Sequence, residues 1–279
     1  EWTVTAGQSI TLPLAISGYN PSAYDCHVDW GDQSSSDISG VYPTGYGNVE
    51  ETRTHTYVEA GTYEVRISGL VKGWSFIAYS TSATKITKVS QWGSLEFHSG
   101  MGTPFYGCTN LQVTATDSPI IGPNTTLYRA FQNCTSLTSG LENWDVSNVV
   151  SMKWMFQGCT SFNANLDSWD VGNVTTMEKM FYDCGLFNAG LTVGESGDRM
   201  RDWNPGEVLT MYSMFYKCAA FNQNIGNWRI DKVESMETMF MFTYKFNQDI
   251  NTKEVTLAGE TFTAWNTSNV TNMKRMFYD

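Results

Sequence analysis

Side chains that attack, ionise or ligate occur in the 279-residue chain without the spacing of a known catalytic site. There are six cysteines and three histidines. Cys108, Cys134, Cys159, Cys184 and Cys218 recur at near-regular intervals, and Cys26 stands apart. Such thiols can pair oxidatively or pack as small hydrophobes. Parallel side chains on successive repeats are badly oriented for the roughly 90° torsion of a disulfide, so free buried thiols are expected. His27, His55 and His98 belong to no H-E-x-x-H pattern, and no C-x-x-C, G-x-S-x-G or phosphate-loop pattern occurs. No catalytic residue is assigned, a non-enzyme is expected, and no cofactor is required. Asp145, Asp170, Asn163, Asn165 and Asp249 supply hard oxygen ligands. Calcium is therefore the one candidate ion, with no ligand set assigned.

Binding chemistry has better candidates. Trp154, Tyr182, Tyr212, Tyr216 and Tyr244 fall at positions that vary between repeats, and variable positions face solvent more often than invariant ones. Exposed aromatics anchor proteins or stack on sugars. Asn165, Gln223, Asn224, Gln248 and Asp249 form an amide-rich strip, the first-choice ligand surface. Arg199 and Arg201, in an insertion, complete the ligand-binding candidates. Acids outnumber bases 28 to 17, for a net charge of −11, which disfavours nucleic acid. No apolar run reaches the roughly 20 residues of a membrane-spanning helix, and no direct membrane insertion is expected. A 41% apolar, 16% charged composition excludes a disordered chain.

The elements that position these residues come in two kinds. Trp2–Thr5, Ile10–Ile16, His27–Trp30 and Thr62–Ile67 read as short strands, and Ser34–Glu51 reads as a loop. Beyond about residue 90 the sequence repeats, with a period of 25 or 26 residues where nothing is inserted. Trp144, Trp169, Trp203, Trp228 and Trp265 each open a copy. Counting from each Trp, Val follows at +5, Met at +8 and +11, Phe at +12, Cys at +15 (Cys159, Cys184, Cys218, then Thr243) and Phe-Asn at +18 and +19. Asn163, Asn188, Asn222 and Asn247 hold the +19 slot. Degenerate copies around Met101–Leu111 and Leu127–Leu141 precede them.

Spacings of three and four from +5 to +15 predict a short helix, capped by Ser147 or Asn148 in the first copy and by Ser268 or Asn269 in the last. The segment at +18 to +22 predicts a short parallel strand. Stacked copies would pile like residues into columns of Trp, Met, Phe and Cys, with the +19 amide bonding backbone groups between coils. Extra residues before Trp203 and before Trp265 mark two insertions at the same slot, the second reading as a hairpin around Ala258-Gly259.

Two resemblances follow. Val28-Asp29-Trp30-Gly31-Asp32 with His55-Thr56-Tyr57 and Gly61-Thr62-Tyr63-Glu64-Val65 resembles a polycystic-kidney-disease (PKD) domain, which implies an immunoglobulin-like sandwich acting as a spacer. Gln33 stands where such domains usually carry glycine, which implies a distorted turn. Residues 92–279 resemble the BspA-like leucine-rich-repeat surface proteins of bacteria, carried by Trp144-Asp145-Val146-Ser147-Asn148-Val149 and Ser268-Asn269-Val270-Thr271-Asn272-Met273. That resemblance implies an extracellular or surface-anchored bacterial protein used for attachment.

The expected fold is thus an α/β leucine-rich-repeat solenoid, a short helix and a short parallel strand per repeat, preceded by a small all-β PKD-like sandwich. The expected domains are 1–75 and 76–279, the second with degenerate repeats to 143 and regular ones from 144. A start at Glu1 without Met and a stop inside a repeat suggest a piece of a longer chain. The expected function is recognition of a protein, peptide or glycan on another surface. The alternative is a structural spacer, or a calcium-assisted homodimer built on an open coil at Trp265–Asp279.

Overall fold

The computed structural model describes residues 1–14, 22–42, 53–71, 73–97 and 103–278. Ala15, Ile16, His98, Met101, Asp279 and the part of the expected loop from 43 onward lie outside the described residues. Short antiparallel strands form the first part: β1 (Trp2–Val4), β2 (Ser9–Thr11), β3 (Ser22–Asp29), β4 (Ser35–Tyr42), β5 (Thr54–Thr56), β6 (Gly61–Tyr63) and β7 (Arg66–Val71). β3 lies between β4 and β7, and β1–β6 and β2–β5 form separate pairs. Along β3, Tyr24, Cys26 and Val28 point inward and Asp25, His27 and Asp29 outward, the period of two that a half-covered strand imposes.

Two expectations fail here. Ser35–Tyr42 is a strand, not a loop: Ile38 supplies an inward anchor, and the serines around it hide the alternation in the sequence. The run Thr62–Ile67 is not one strand but breaks at Glu64-Val65. The turn after β3 is tied by Asp32 Oδ2, 2.7 Å from His55 Nε2, by Trp30 stacked on His55 and by the Tyr57 hydroxyl donating to the Trp30 carbonyl. Gln33 has φ 72°, the left-handed conformation that glycine takes at least expense.

A short helix, α1 (Ser80–Ala83), is followed by β8 (Lys88–Val89), β9 (Glu96–Phe97), β10 (Gln112–Val113), β11 (Ile120–Ile121), β12 (Thr125–Thr126) and β13 (Val149–Ser151). β8 pairs in parallel with β10, β9 with β11 and β12 with β13, each across one repeat.

The α/β leucine-rich-repeat solenoid is overturned. Among the described residues no repeat contains a helix, and the sheets are small and separate. The +8 to +15 segment is a chain of tight turns instead. Met155 N donates to Met152 O and Cys159 N to Phe156 O, each closing a four-residue turn. The third residue of each turn has positive φ: Trp154 at 60° and Gly158 at 75°. Slot +10 repeats this at Arg129, Lys179, Ser213, Thr238 and Arg275, and slot +14 at Asn133, Asp183, Lys217 and Phe242. A residue in that conformation cannot continue a right-handed helix. Met152, Met155, Phe156 and Cys159 still bury together, because consecutive turns bring their first and last residues to one side at spacings of three and four. Ser147 and Asn148 therefore cap nothing helical. Ser147 donates to Asp145 Oδ1, and Asn148 Nδ2 donates to the Ile121 carbonyl one copy back.

Alternate N–H groups cross to the next copy. Met152, Trp154, Phe156 and Gly158 donate to the carbonyls of Thr176, Glu178, Met180 and Tyr182 at 2.8–3.1 Å, and the following copies repeat the pattern. Parallel bridging therefore runs at slot +7, through Ser151, Thr176, Thr210, Ser235 and Asn272; the +18 to +22 segment contributes one isolated bridge, Gly197 to Gln223, and no strand forms at Phe162–Leu166. Stacked Phe rings mark the spacing of the copies: 131–156, 156–181, 181–215 and 215–240 are separated by 5.6–5.8 Å.

Side chains complete the columns. The Trp169, Trp203, Trp228 and Trp265 indoles donate to the carbonyls of Leu141, Leu166, Met200 and Ile225 in the preceding copy. Trp144, first of the five, has no acceptor for its buried indole N–H. All six cysteines are free and buried. Cys159, Cys184 and Cys218 direct their thiols to the carbonyls of Phe131, Phe156 and Phe181, and Thr243 turns its hydroxyl to Phe215 in the same way. Burial pushes the Cys108, Cys134, Cys184 and Cys218 thiols up. The two insertions leave the ladder in register. The second is a hairpin, β14 (Lys253–Leu257) and β15 (Glu260–Ala264), with φ 50° at Ala258 and 85° at Gly259.

Two stability series check this construction by denaturant unfolding. Gly158→Ala puts a Cβ 2.5 Å from Asn133 Oδ1 at positive φ and is expected to lower stability by at least about 1–2 kcal/mol. Lys217→Gly, at the equivalent slot, is expected to raise it by roughly 0.5–1 kcal/mol, the relieved strain less the added entropy of the unfolded chain. At the thiol column, Cys159→Thr is expected to stay within about 1 kcal/mol of the parent, while Cys159→Ala loses roughly 1–2 kcal/mol through a cavity and a lost donor.

Candidate functional site

The turns decide which side chains meet solvent. Since +8, +11, +12 and +15 point inward, +9, +10, +13 and +14 line the outer turn face, with Gln132 and Ser213 covered there by their neighbours. Trp154, Tyr182, Tyr212 and Tyr216 all lie there, half-buried against one another and against cations. The Arg129 guanidinium lies over the Trp154 ring at 4.1 Å, and the Lys153 and Lys179 ammoniums are each 5.4 Å from the same ring. Lys179 is also 5.5 Å from the Tyr182 ring and 5.2 Å from that of Tyr212. Tyr182 and Tyr216 stack with centroids 4.4 Å apart, and Lys217 sits 5.6 Å from Tyr216. Tyr128 flanks Trp154, and Phe242 packs its edge against Tyr216. Tyr244, mostly exposed, contacts Phe242.

One carboxylate serves the crowded end. Glu178 pairs with Lys153 at 2.7 Å and accepts the Trp154 indole N–H at 3.2 Å. Arg129, Lys179 and Lys217 have no ion-pair partner among the described residues, and the Arg129 Nε is buried without an acceptor. Burial and the neighbouring Tyr216 push the Tyr182 phenol up to about 12. Sequence reasoning found the aromatics and missed the cations. Its only cue was the column itself: slots +9 and +10 hold Tyr128-Arg129, Lys153-Trp154 and Glu178-Lys179, too varied for a consensus.

The amide strip is a different kind of feature. Gln223 is fully buried, a correction to its place among the ligand candidates. Residues 195–197 cover it, and its Nε2 donates to Asn188 Oδ1. Asn165, Asn224 and Asp249 accept the N–H two residues on, closing local turns at Asp167, Gly226 and Asn251. Gln248 donates to Asn222 Oδ1 and to the Ser196 hydroxyl. The +19 amides run between copies: Asn163 Oδ1 accepts the Asn188 N–H, Asn188 Oδ1 that of Asn222, and Asn222 Oδ1 that of Asn247. Arg201 is held by Asp198 and Asp202, and Arg199 donates to the Ala189 carbonyl. None of these contacts joins the strip to the aromatic stripe.

Elsewhere the groups that suggest chemistry are held by neighbours. Ser34, Asp32 and His55 are the residue types of a hydrolytic trio. However, Asp32 and Ser34 both face His55 Nε2, at 2.7 and 3.5 Å, and the Ser34 hydroxyl is committed to Asp32, so no relay through the two ring nitrogens exists. Asp145 and Asp170 close local turns at Ser147 and Gly172. Among the described residues no three His, Cys, Asp or Glu side chains gather where a metal ion could sit. A cleft of about 500 Å³ opens between β7 and the first copies, lined by Trp2, Ile67, Trp92 and Leu95. Its charges pair internally, Glu64 with Arg66 and Glu1 with Lys88.

Residues 99–197 and 192–279, which contain the whole stripe, match the family model described as "Mycoplasma protein of unknown function, DUF285". The chain belongs to the DUF285 family. Its kinship is thus with a bacterial family of repeated units, and in this DUF285 chain both matched segments are stacks of the turn repeat. No curated protein and no solved structure matches the chain.

The raised Tyr182 phenol has a signed consequence. The folded state prefers the protonated ring, so this contribution to stability is complete below pH about 10 and disappears as pH rises toward about 12. Melting temperatures across that window are expected to fall, and Tyr182→Phe is expected to flatten part of the fall.

Proposed function

We propose that the chain is a non-catalytic recognition module of a bacterial surface protein or large adhesin, working outside the cell on a protein, peptide or glycan. The observation that carries the proposal is the stripe of Trp154, Tyr182, Tyr212 and Tyr216 with Arg129, Lys179 and Lys217. Its members come from four successive copies and are held by the backbone ladder beneath them. Aromatic and arginine side chains fixed on a rigid support are the groups that dominate binding surfaces. The finer likeness of the repeats to BspA-like surface proteins and of the first strands to a PKD-like domain supports the same reading. Trp154→Ala leaves the inward columns untouched and tests the face alone.

A glycan and peptide array probed with the purified chain is expected to give hits that weaken at least about tenfold with Trp154→Ala, a change of roughly 1.4 kcal/mol. An empty array, with light scattering showing only a concentration-dependent dimer, would replace recognition by self-association.

A further inference from the structure

We infer that the stripe binds an extended acidic glycan, a polysaccharide with sulfate or carboxylate groups along its length, laid parallel to the stack. The inference rests on the recognition reading and names its ligand class. Four successive copies each present one cation on the turn face: Arg129, Lys153, Lys179 and Lys217. Three of them converge on the single Trp154 ring, where Glu178 is the one carboxylate bonded to the group among the described residues, and Asp183 adds a second negative charge near Tyr182. In a chain of net charge −11, four cations against Glu178 and Asp183 still leave this stretch positive, and a bound anion relieves the remaining repulsion.

Geometry then selects among anions. The ring faces are largely taken, Trp154 by Arg129 and Tyr182 by Tyr216, so ring edges, phenols and cation heads remain for the ligand. That set favours charged groups and hydroxyls over a flat neutral sugar. Stacked Phe rings of successive copies lie 5.6–5.8 Å apart beneath the stripe, and the Tyr182 and Tyr216 rings on it lie 4.4 Å apart. A peptide strand repeats its same-face side chains at about 6.7 Å and loses register over a few copies. A pyranose with its linkage spans close to one copy, so an acidic polysaccharide keeps step.

The test is calorimetric titration of the whole chain with heparin, polygalacturonate, neutral dextran and poly-glutamate of matched length, at low and at high salt. Heparin or polygalacturonate is expected to bind, more weakly at high salt, and dextran not at all. Arg129→Gln and Lys179→Gln are each expected to weaken binding about tenfold. Lys217→Gln, at an exposed position, gives a second reading should either of those melt early. Lys232→Gln, whose ammonium pairs with Glu207 off the stripe, is expected to bind like the parent. Poly-glutamate binding as tightly as the glycans, or acidic-glycan binding indifferent to the stripe variants, overturns the inference. So does failure of both glycans while the array yields another ligand, which leaves recognition standing. An empty array as well removes both.

Discussion

Everything in the repeat region depends on one backbone device: alternate N–H groups of the turn segment leave their own coil and bond the next. From Leu127 onward four such bonds join each pair of copies, and the residues at slots +10 and +14 sit at positive φ to make them. A left-handed residue with a side chain is disfavoured by roughly 1–2 kcal/mol. Two per copy persist because the alternative leaves several buried peptide groups without partners, which is worse. The same device turns one set of side chains inward in columns and the complementary set outward along a line.

The interior columns serve main-chain groups of neighbouring copies, the indoles and thiols donating to carbonyls and the +19 amide oxygens accepting N–H groups. The indole of each later Trp, the thiol at +15 and the amide at +19 all reach a main-chain group in a neighbouring copy. Thr243 shows why a thiol sits in that column: its replacement keeps a donor aimed at the same carbonyl, which Ala or Val would not. The first Trp of the series, with an indole that finds no acceptor, marks where the columns begin. Outside, the line of variable residues gathers rings and cations into one continuous surface.

Much of this was legible in the sequence. The period, the inward set and the columns of Trp, Phe, Cys and Asn follow from spacing alone, as does the hairpin around Ala258-Gly259. The conformation was not, because apolar residues three and four apart describe a string of tight turns as well as a helix. The distinguishing cue was at slot +14, where Gly107, Asn133, Gly158 and Asp183 are the residue types that tolerate positive φ. Lys217 and Phe242 then break that pattern and obscure it. Of the candidate binding residues, the aromatics lie together on the outer face. Gln223 does not, since an extended amide pattern gives no sign that an insertion folds over it.

The two insertions show how little the stack depends on its own period. Lys179 reaches Tyr212, and Thr238 reaches Lys274, with the same bonds as in copies lacking any extra residues. Lengthening a surface loop raises its closure entropy only logarithmically. The site before each Trp is therefore a socket: cargo of many sizes can be spliced in there while the scaffold beneath keeps its shape, so new surface can arise without a new fold.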